Sequence, residues 1–202
     1  MLGRQILAAP VLEKTDKWDV YLPEGKWVYY WTGREFTGPQ TVTVDAPLYG
    51  RDGLPMFVKA GAIIPMMPEM SYIYEKAPDP LTLDVYPDSA GPSTYVMYDC
   101  ERPKKSPIKE TAFKCVEDER KIEISISPSS VAYELWVHYD KSPTSVVADS
   151  KALAKIEDRR GYGKAKEGWY YGPGCFYGSE GIRTVNIKIP KISKRRLIQV
   201  LK

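Results

Sequence analysis

The residues that could carry chemistry are few, and their spacing suits little of it. The 202-residue chain has one histidine, His138, and three scattered cysteines, Cys100, Cys115 and Cys175, with no Cys-x-x-Cys pair. Zinc needs clustered thiolates or imidazoles, and a disulfide framework needs an even, closely ordered set, so neither is expected and the thiols read as buried or idle. Ser-His-Asp catalysis would have to recruit His138, yet there is no Gly-x-Ser-x-Gly elbow to present a nucleophile. His138 alternates with apolar neighbours and reads as a partly buried or surface side chain. Glycoside hydrolysis needs two carboxylates facing each other across a sugar, roughly 5 to 9.5 Å apart. The acidic run Glu117-Asp118-Glu119 sits before an alternating strand and reads as a solvated hairpin tip. Gly161-Tyr162-Gly163 lacks the strand and the spacing of a phosphate-binding loop and reads as a turn. No catalytic residue, metal ligand or cofactor is expected within the chain.

Aromatic residues offer more. With 15 Tyr, 5 Trp and 4 Phe the chain is rich in rings, and sugars present C–H faces that stack on rings. The densest run contains Trp169, Tyr170, Tyr171, Phe176 and Tyr177, broken by Gly172, Pro173 and Gly174. Such a run is an irregular hairpin or loop that either exposes a stacking platform or caps a core, and capping is the favoured reading. A second group, Trp27, Tyr29, Tyr30 and Trp31, lies on a strand, so alternate rings point opposite ways; burial under another domain accounts for them. The basic residues Lys188, Lys191, Lys194, Arg195, Arg196 and Lys202 read as solvated edge charges that oppose aggregation. With a net charge of only +3 and no aromatic and glycine pattern to accompany those charges, nucleic acid is not expected as a partner.

The elements that must position these residues are strands. Val42, Val44 and Ala46 alternate with polar neighbours, as do Leu81, Leu83 and Val85; Ile122, Ile124 and Ile126; and Val185, Ile187 and Ile189. Val131 to Val137 and Leu197 to Leu201 follow the same period of two. Pro23-Glu24-Gly25 and Thr32-Gly33 read as turns on either side of a strand from Lys26 to Trp31, and Asp88 to Pro92 as a turn before Ser93. Helix formers over Ser150 to Asp158 suggest one short helix. Proline at 65, 68, 78 and 80 interrupts any regular ladder and marks a crossing between units. The fold class expected is all-β, as two β-sandwich domains of mainly antiparallel strands, one over residues 1–76 and the other over 77–202. Prolines and charges interrupt every apolar run well short of the roughly 18 residues that cross a bilayer, so no membrane partner is expected. No export signal is read at Met1 to Leu12, which favours the cytoplasm.

Ordered motifs along the first third carry a resemblance. Ile6-Leu7-Ala8-Ala9-Pro10-Val11, then Val20-Tyr21-Leu22-Pro23-Glu24-Gly25-Lys26-Trp27, Trp31-Thr32-Gly33 and Leu54 to Pro65 together resemble the segment that follows the catalytic barrel in glycoside hydrolase family 31. Leu81 to Tyr86, Tyr95 to Asp99 and Tyr139 to Leu153 are similar, more loosely, to the family's next domain. The resemblance implies retaining α-glycosidases, chiefly α-glucosidases and α-xylosidases, with an N-terminal β domain, a (β/α)8 barrel, and proximal and distal C-terminal β-sandwiches. This chain would be the last two.

The family's catalytic aspartates lie in the barrel and have no counterpart here, so the resemblance implies a fragment without hydrolytic activity of its own. Lys59 stands where the family usually has Arg, and Asp99-Cys100-Glu101 replaces a more acidic turn, which argues against a metal there. The resemblance also recasts Val146 to Ile156 as strand, turn, strand around Asp149 to Lys151, in preference to the helix. A proximal sandwich that packs on a barrel should offer an aromatic face, for which Trp18, Trp27, Tyr29 and Trp31 are the candidates. The role implied is scaffolding of the missing barrel, with contacts to a second subunit. The competing reading is a carbohydrate-binding module that takes an oligosaccharide on Trp169 to Tyr177.

Overall fold

The computed structural model describes residues 1–47, 49, 53–72, 75–77, 79–99, 109–129, 131–173, 182–191 and 193–202. Cys100, Cys175, Phe176 and Tyr177 lie outside the described residues. Fifteen strands and one short helix are described, in three sheets.

The first sheet contains β1 (Ile6–Ala8), β2 (Lys17–Tyr29), β3 (Glu35–Asp45) and β4 (Met56–Lys59), in the order β1-β4-β2-β3 and antiparallel throughout. Pro23-Glu24-Gly25 does not separate two strands, as the turn chemistry suggested, but forms an irregularity inside the single strand β2. Leu22 faces Gln40 and Gly25 faces Gly38, so Pro23 and Glu24 oppose Pro39 alone. One extra residue shifts the side-chain period by one. Val20 and Leu22 before the irregularity therefore share a buried cluster with Trp27 and Tyr29 after it, together with Val42, Val44 and Phe57. The close approach demands glycine at 38, where an added Cβ would stand 2.0 Å from the Pro23 carbonyl oxygen.

The chain leaves this sheet at Ala60 to Ala62. Gly61 holds φ +85 there, its N–H donates to the Tyr86 carbonyl at 2.8 Å, and Tyr86 N–H donates back to Ala62 at 2.9 Å. β5 (Ile63–Met66) then pairs with β6 (Leu81–Val85), Ile63 opposite Val85 and Pro65 opposite Leu83. Proline is tolerated because β5 is an edge strand. The switch between sheets thus lies at 60–62, and position 76/77 falls in the connection between two paired strands of one sheet.

The remaining elements form a sandwich. Its one sheet has the order β13-β14-β10-β6-β5, with β10 (Tyr133–His138), β13 (Gly168–Pro173) and β14 (Arg183–Ile189). Its other sheet has the order β12-β11-β15-β9-β8-β7, with β7 (Ser93–Asp99), β8 (Lys109–Glu117), β9 (Lys121–Ile126), β11 (Ser145–Ala148), β12 (Lys151–Ala152) and β15 (Arg196–Leu201). Among the described strands all pairings are antiparallel except β6 with β10. The alternating residues read from the sequence meet in one cluster: Ile122, Ile124, Ile126, Ile198 and Val200 from one sheet against Leu83, Val85, Leu135, Val137, Val185 and Ile187 from the other. Buried aliphatic surface of this kind contributes about 25 cal/mol per Å², the dominant favourable term.

β11 and β12 join through Asp149 and Ser150 at φ +50 and +69, so this segment is strand, turn, strand and not helical. The helix lies further on. α1 (Arg159–Lys164) is capped by Asp158, whose Oδ1 accepts from Gly161 N–H at 2.7 Å. Two glycines within it hid it from propensity. Among the described residues no helix is long and apolar enough to cross a membrane.

Candidate functional site

A cleft opens where the first sheet meets one end of the sandwich. It encloses about 590 Å³, within the 300 to 1,000 Å³ typical of small-molecule clefts. Val28, Thr32, Gly33 and Glu35 line it from the end of β2 and the turn into β3. Tyr86, Pro87, Glu117, His138, Tyr139, Asp140, Ile182 and Arg183 line it from the ends of β6, β8 and β10 and the start of β14. The two walls touch at Gly33 and Ile182. Gly33 has φ +73 in the turn closed by its N–H donating to Tyr29, and a Cβ there would lie 3.3 Å from Ile182 Cγ1.

His138, in the cleft wall, belongs to a polar pair whose members lie far apart in the chain. His138 Nε2 lies 2.7 Å from Asp84 Oδ1, and Asp84 is only 1% exposed. The two face each other because β6 and β10 run parallel, with Trp136 opposite Asp84. The Tyr86 ring stacks on the imidazole, centroids 3.8 Å apart. Burial, and then the neighbouring Asp84 carboxylate, push the Tyr86 phenol well above its ordinary range and raise that of Tyr30 too. With Nε2 committed to Asp84 and one face to Tyr86, the imidazole is fixed as part of the junction, in line with its reading as a partly buried side chain.

The walls are held from behind. Lys202 Nζ reaches Glu117 at 2.6 Å and lies over the Tyr139 ring at 5.7 Å. The Tyr171 hydroxyl donates to the Asp140 carbonyl, and its ring lies 5.6 Å beneath the Arg183 guanidinium. Lys202 and Arg196 are not the solvated edge charges expected from the sequence. Arg196 is 4% exposed, its Nε 2.7 Å from Asp149 Oδ2. Lys188 is also engaged, donating to the Tyr162 carbonyl at 2.9 Å with its ammonium over the Tyr162 ring. Each satisfies a carbonyl, ring or carboxylate that the strands bring beside it. Of the acidic run expected as a solvated hairpin tip, Asp118 and Glu119 form the tip, where Asp118 Oδ1 accepts from the N–H groups of Arg120 and Lys121, whereas Glu117 ends β8 in its ion pair with Lys202.

The aromatic candidates separate. Trp169 is 3% exposed within the sandwich core and donates Nε1–H to the Leu153 carbonyl at 3.2 Å, so it has no face to offer as a platform. Tyr170 and Tyr171 are half-buried on the edge strand β13, Tyr170 against Tyr162 and Tyr171 against Asp140 and Arg183. In the first sheet Trp27 is 2% and Tyr29 6% exposed, which removes both from any outward aromatic face. The inserted residue in β2 turns them onto the sheet's own cluster, where Trp27 Nε1–H donates to the Pro23 carbonyl at 2.9 Å. Trp18 and Trp31 are half-buried at the margin of that cluster. Trp31 donates Nε1–H to the Leu54 carbonyl at 2.8 Å.

Residues 1–64 match the family described as "Glycosyl hydrolase family 31 C-terminal domain". A 1,6-alpha-glucosyltransferase of Sporosarcina globispora is 38% identical over 101 residues, covering 49% of this chain and 8% of that protein. Alpha-glucosidase 2 of Bacillus thermoamyloliquefaciens is 33% identical over 100 residues, covering 49% of this chain and 12% of that protein. Among solved structures, a Flavobacterium johnsoniae GH31 dextranase complexed with glucose superimposes with a TM-score of 0.84 at 26% identity. That match covers 100% of this chain and 26% of the dextranase. The chain therefore spans about a tenth of the length of these curated relatives and about a quarter of the structural one.

Proposed function

We propose that this chain, whose residues 1–64 match the glycoside hydrolase family 31 C-terminal domain, is a non-catalytic scaffold for the catalytic barrel of an α-glycosidase of the α-glucosidase or α-xylosidase kind. The observation that carries the reading is the end-to-end match to one quarter of a dextranase whose remaining three quarters have no counterpart here. A docking edge fits the role. Leu2 and Leu12 are 61% and 83% exposed on either side of β1, and Ala9 N–H, donating to the Pro55 carbonyl, sets the Leu12 end of that strand next to the segment of Leu54, whose carbonyl accepts from Trp31. Apolar side chains left in water along one edge favour burial against a partner. β7, an edge strand among the described residues, exposes Tyr98 and would offer a face to a second subunit.

The test is reconstitution. Produced separately from the catalytic barrel of its own enzyme and then mixed with it, the chain is expected to bind the barrel and raise turnover of p-nitrophenyl α-glucoside or α-xyloside, while showing none alone. Neither binding nor recovered turnover, or hydrolysis by the chain alone, would overturn the reading. A sugar platform on Trp169 to Tyr177 is not favoured, because its leading tryptophan is in the core.

A further inference from the structure

We propose that the cleft between the first sheet and the sandwich is a binding site for a short neutral oligosaccharide, with the Tyr139 ring as its stacking surface and Glu35, Asp140 and Arg183 as its hydrogen-bonding groups. The ligand class follows from the lining. Glu35 and Asp140 are exposed acceptors, Arg183 is an exposed fork of donors, and Thr32 adds a hydroxyl. Paired hydroxyls on a sugar ring donate to a carboxylate and accept from a guanidinium together, while an aromatic face covers the ring's C–H surface.

Charge points the same way. Three carboxylates, those of Glu35, Glu117 and Asp140, stand against Arg183 and the Lys202 that pairs with Glu117, so an ionic ligand of either sign meets a like charge. A neutral polyol meets none. The walls are also built and not merely exposed: Lys202 holds Glu117 and the Tyr139 ring, Tyr171 holds the Asp140 backbone and the Arg183 guanidinium, and the buried Asp84 holds His138. Side chains fixed by partners outside the cleft lose little conformational freedom when a ligand arrives, which raises affinity without any new contact.

The site is distinct from the barrel edge near Leu12 and Leu54, and the test uses this chain alone. Its failure leaves the scaffold reading standing, and failed reconstitution leaves the cleft standing. The full chain, labelled with ¹⁵N, is titrated with maltotriose, isomaltotriose and xylotriose. At least one should give saturable amide shifts confined to residues 28–35, 86–87, 138–140 and 182–183. Arg183→Ala and Tyr139→Ala should each weaken that binding about tenfold or more, the loss expected for a charged hydrogen bond or a stacking face, while Trp169→Phe leaves it within about twofold. Glu35→Gln, at an exposed position, serves in place of any variant that fails to fold. Absence of saturable shifts with all three sugars, shifts that map elsewhere, or unchanged affinity in both Arg183→Ala and Glu35→Gln overturns the proposal.

Discussion

Arg196 Nε lies 2.7 Å from Asp149 Oδ2, joining the first residue of β15 to the tip of the β11–β12 hairpin. Asp149 accepts from Leu197 N–H through its other oxygen at 2.8 Å while holding φ +50, and Arg196 Nη1 donates to the Pro190 carbonyl at 3.0 Å. One side-chain pair thus fixes a turn and two strand ends. Because Arg196 is buried and Asp149 is not, removing the acid strands a charge in the interior, whereas removing both leaves none. Asp149→Ala should cost about 2 kcal/mol in urea unfolding, and Asp149→Asn less, since asparagine keeps the bond to Leu197 and tolerates positive φ. Equal losses in the two variants would show that the bond to Leu197 and the tolerance of positive φ contribute nothing beyond the charge that both variants remove.

The irregularity in β2 predicts a contrast between two glycines. Gly38→Ala places a methyl group 2.0 Å from backbone that cannot move without reshaping β2, so it should lower the melting temperature by several degrees or prevent folding. Gly163→Ala meets nothing within 4 Å and adds a helix former to α1, so it should be neutral or stabilise by up to about 1 kcal/mol. A melting curve for each decides the matter. A harmless Gly38→Ala would mean that the close approach is absent in solution.

Cys115 is buried between the two sheets, and its thiol is pushed up from 9.0 to about 12 by burial first and by the charge of Glu117 second. At pH 8 it should resist iodoacetamide in the folded chain and react once urea unfolds it, as mass mapping of the labelled peptide would show. The folded-state value lies above the unfolded one, so the associated stability is fully present below pH 9. It falls by about 1.4 kcal/mol per unit as pH rises from 9 towards 12. Cys115→Ala or Cys115→Val should flatten that part of the pH profile. A profile unchanged by substitution would locate the alkaline sensitivity elsewhere.

Two tryptophans separate packing from docking. Trp169→Ala opens a large cavity in the sandwich and should cost about 3 to 5 kcal/mol, with or without any sugar. Trp31→Ala, at the margin of the first cluster, should cost less than half as much. If the edge beside Leu54 docks the barrel, Trp31→Ala should also weaken that binding in the reconstitution mixture while Trp169→Phe does not. The reverse order of stabilities would place Trp169 outside the core.

The sequence alone determined the strands, because a side-chain period of two is a local property that each sheet must bury on one face. Ile122 to Ile126, Val185 to Ile189 and Leu197 to Leu201 lie where alternation put them. It also carried the family likeness in the motifs of the first 65 residues. What only the tertiary structure decided were relationships between positions far apart in the chain. Asp84 and His138 are 54 residues apart, and nothing local to either announces the parallel pairing that joins them. The same holds for Lys202 on Glu117 and for the cleft walls, which come from two units meeting. The outward face expected of Trp27 and Tyr29 was lost to a single inserted residue in β2, since one extra position in a strand reverses every side chain that follows it.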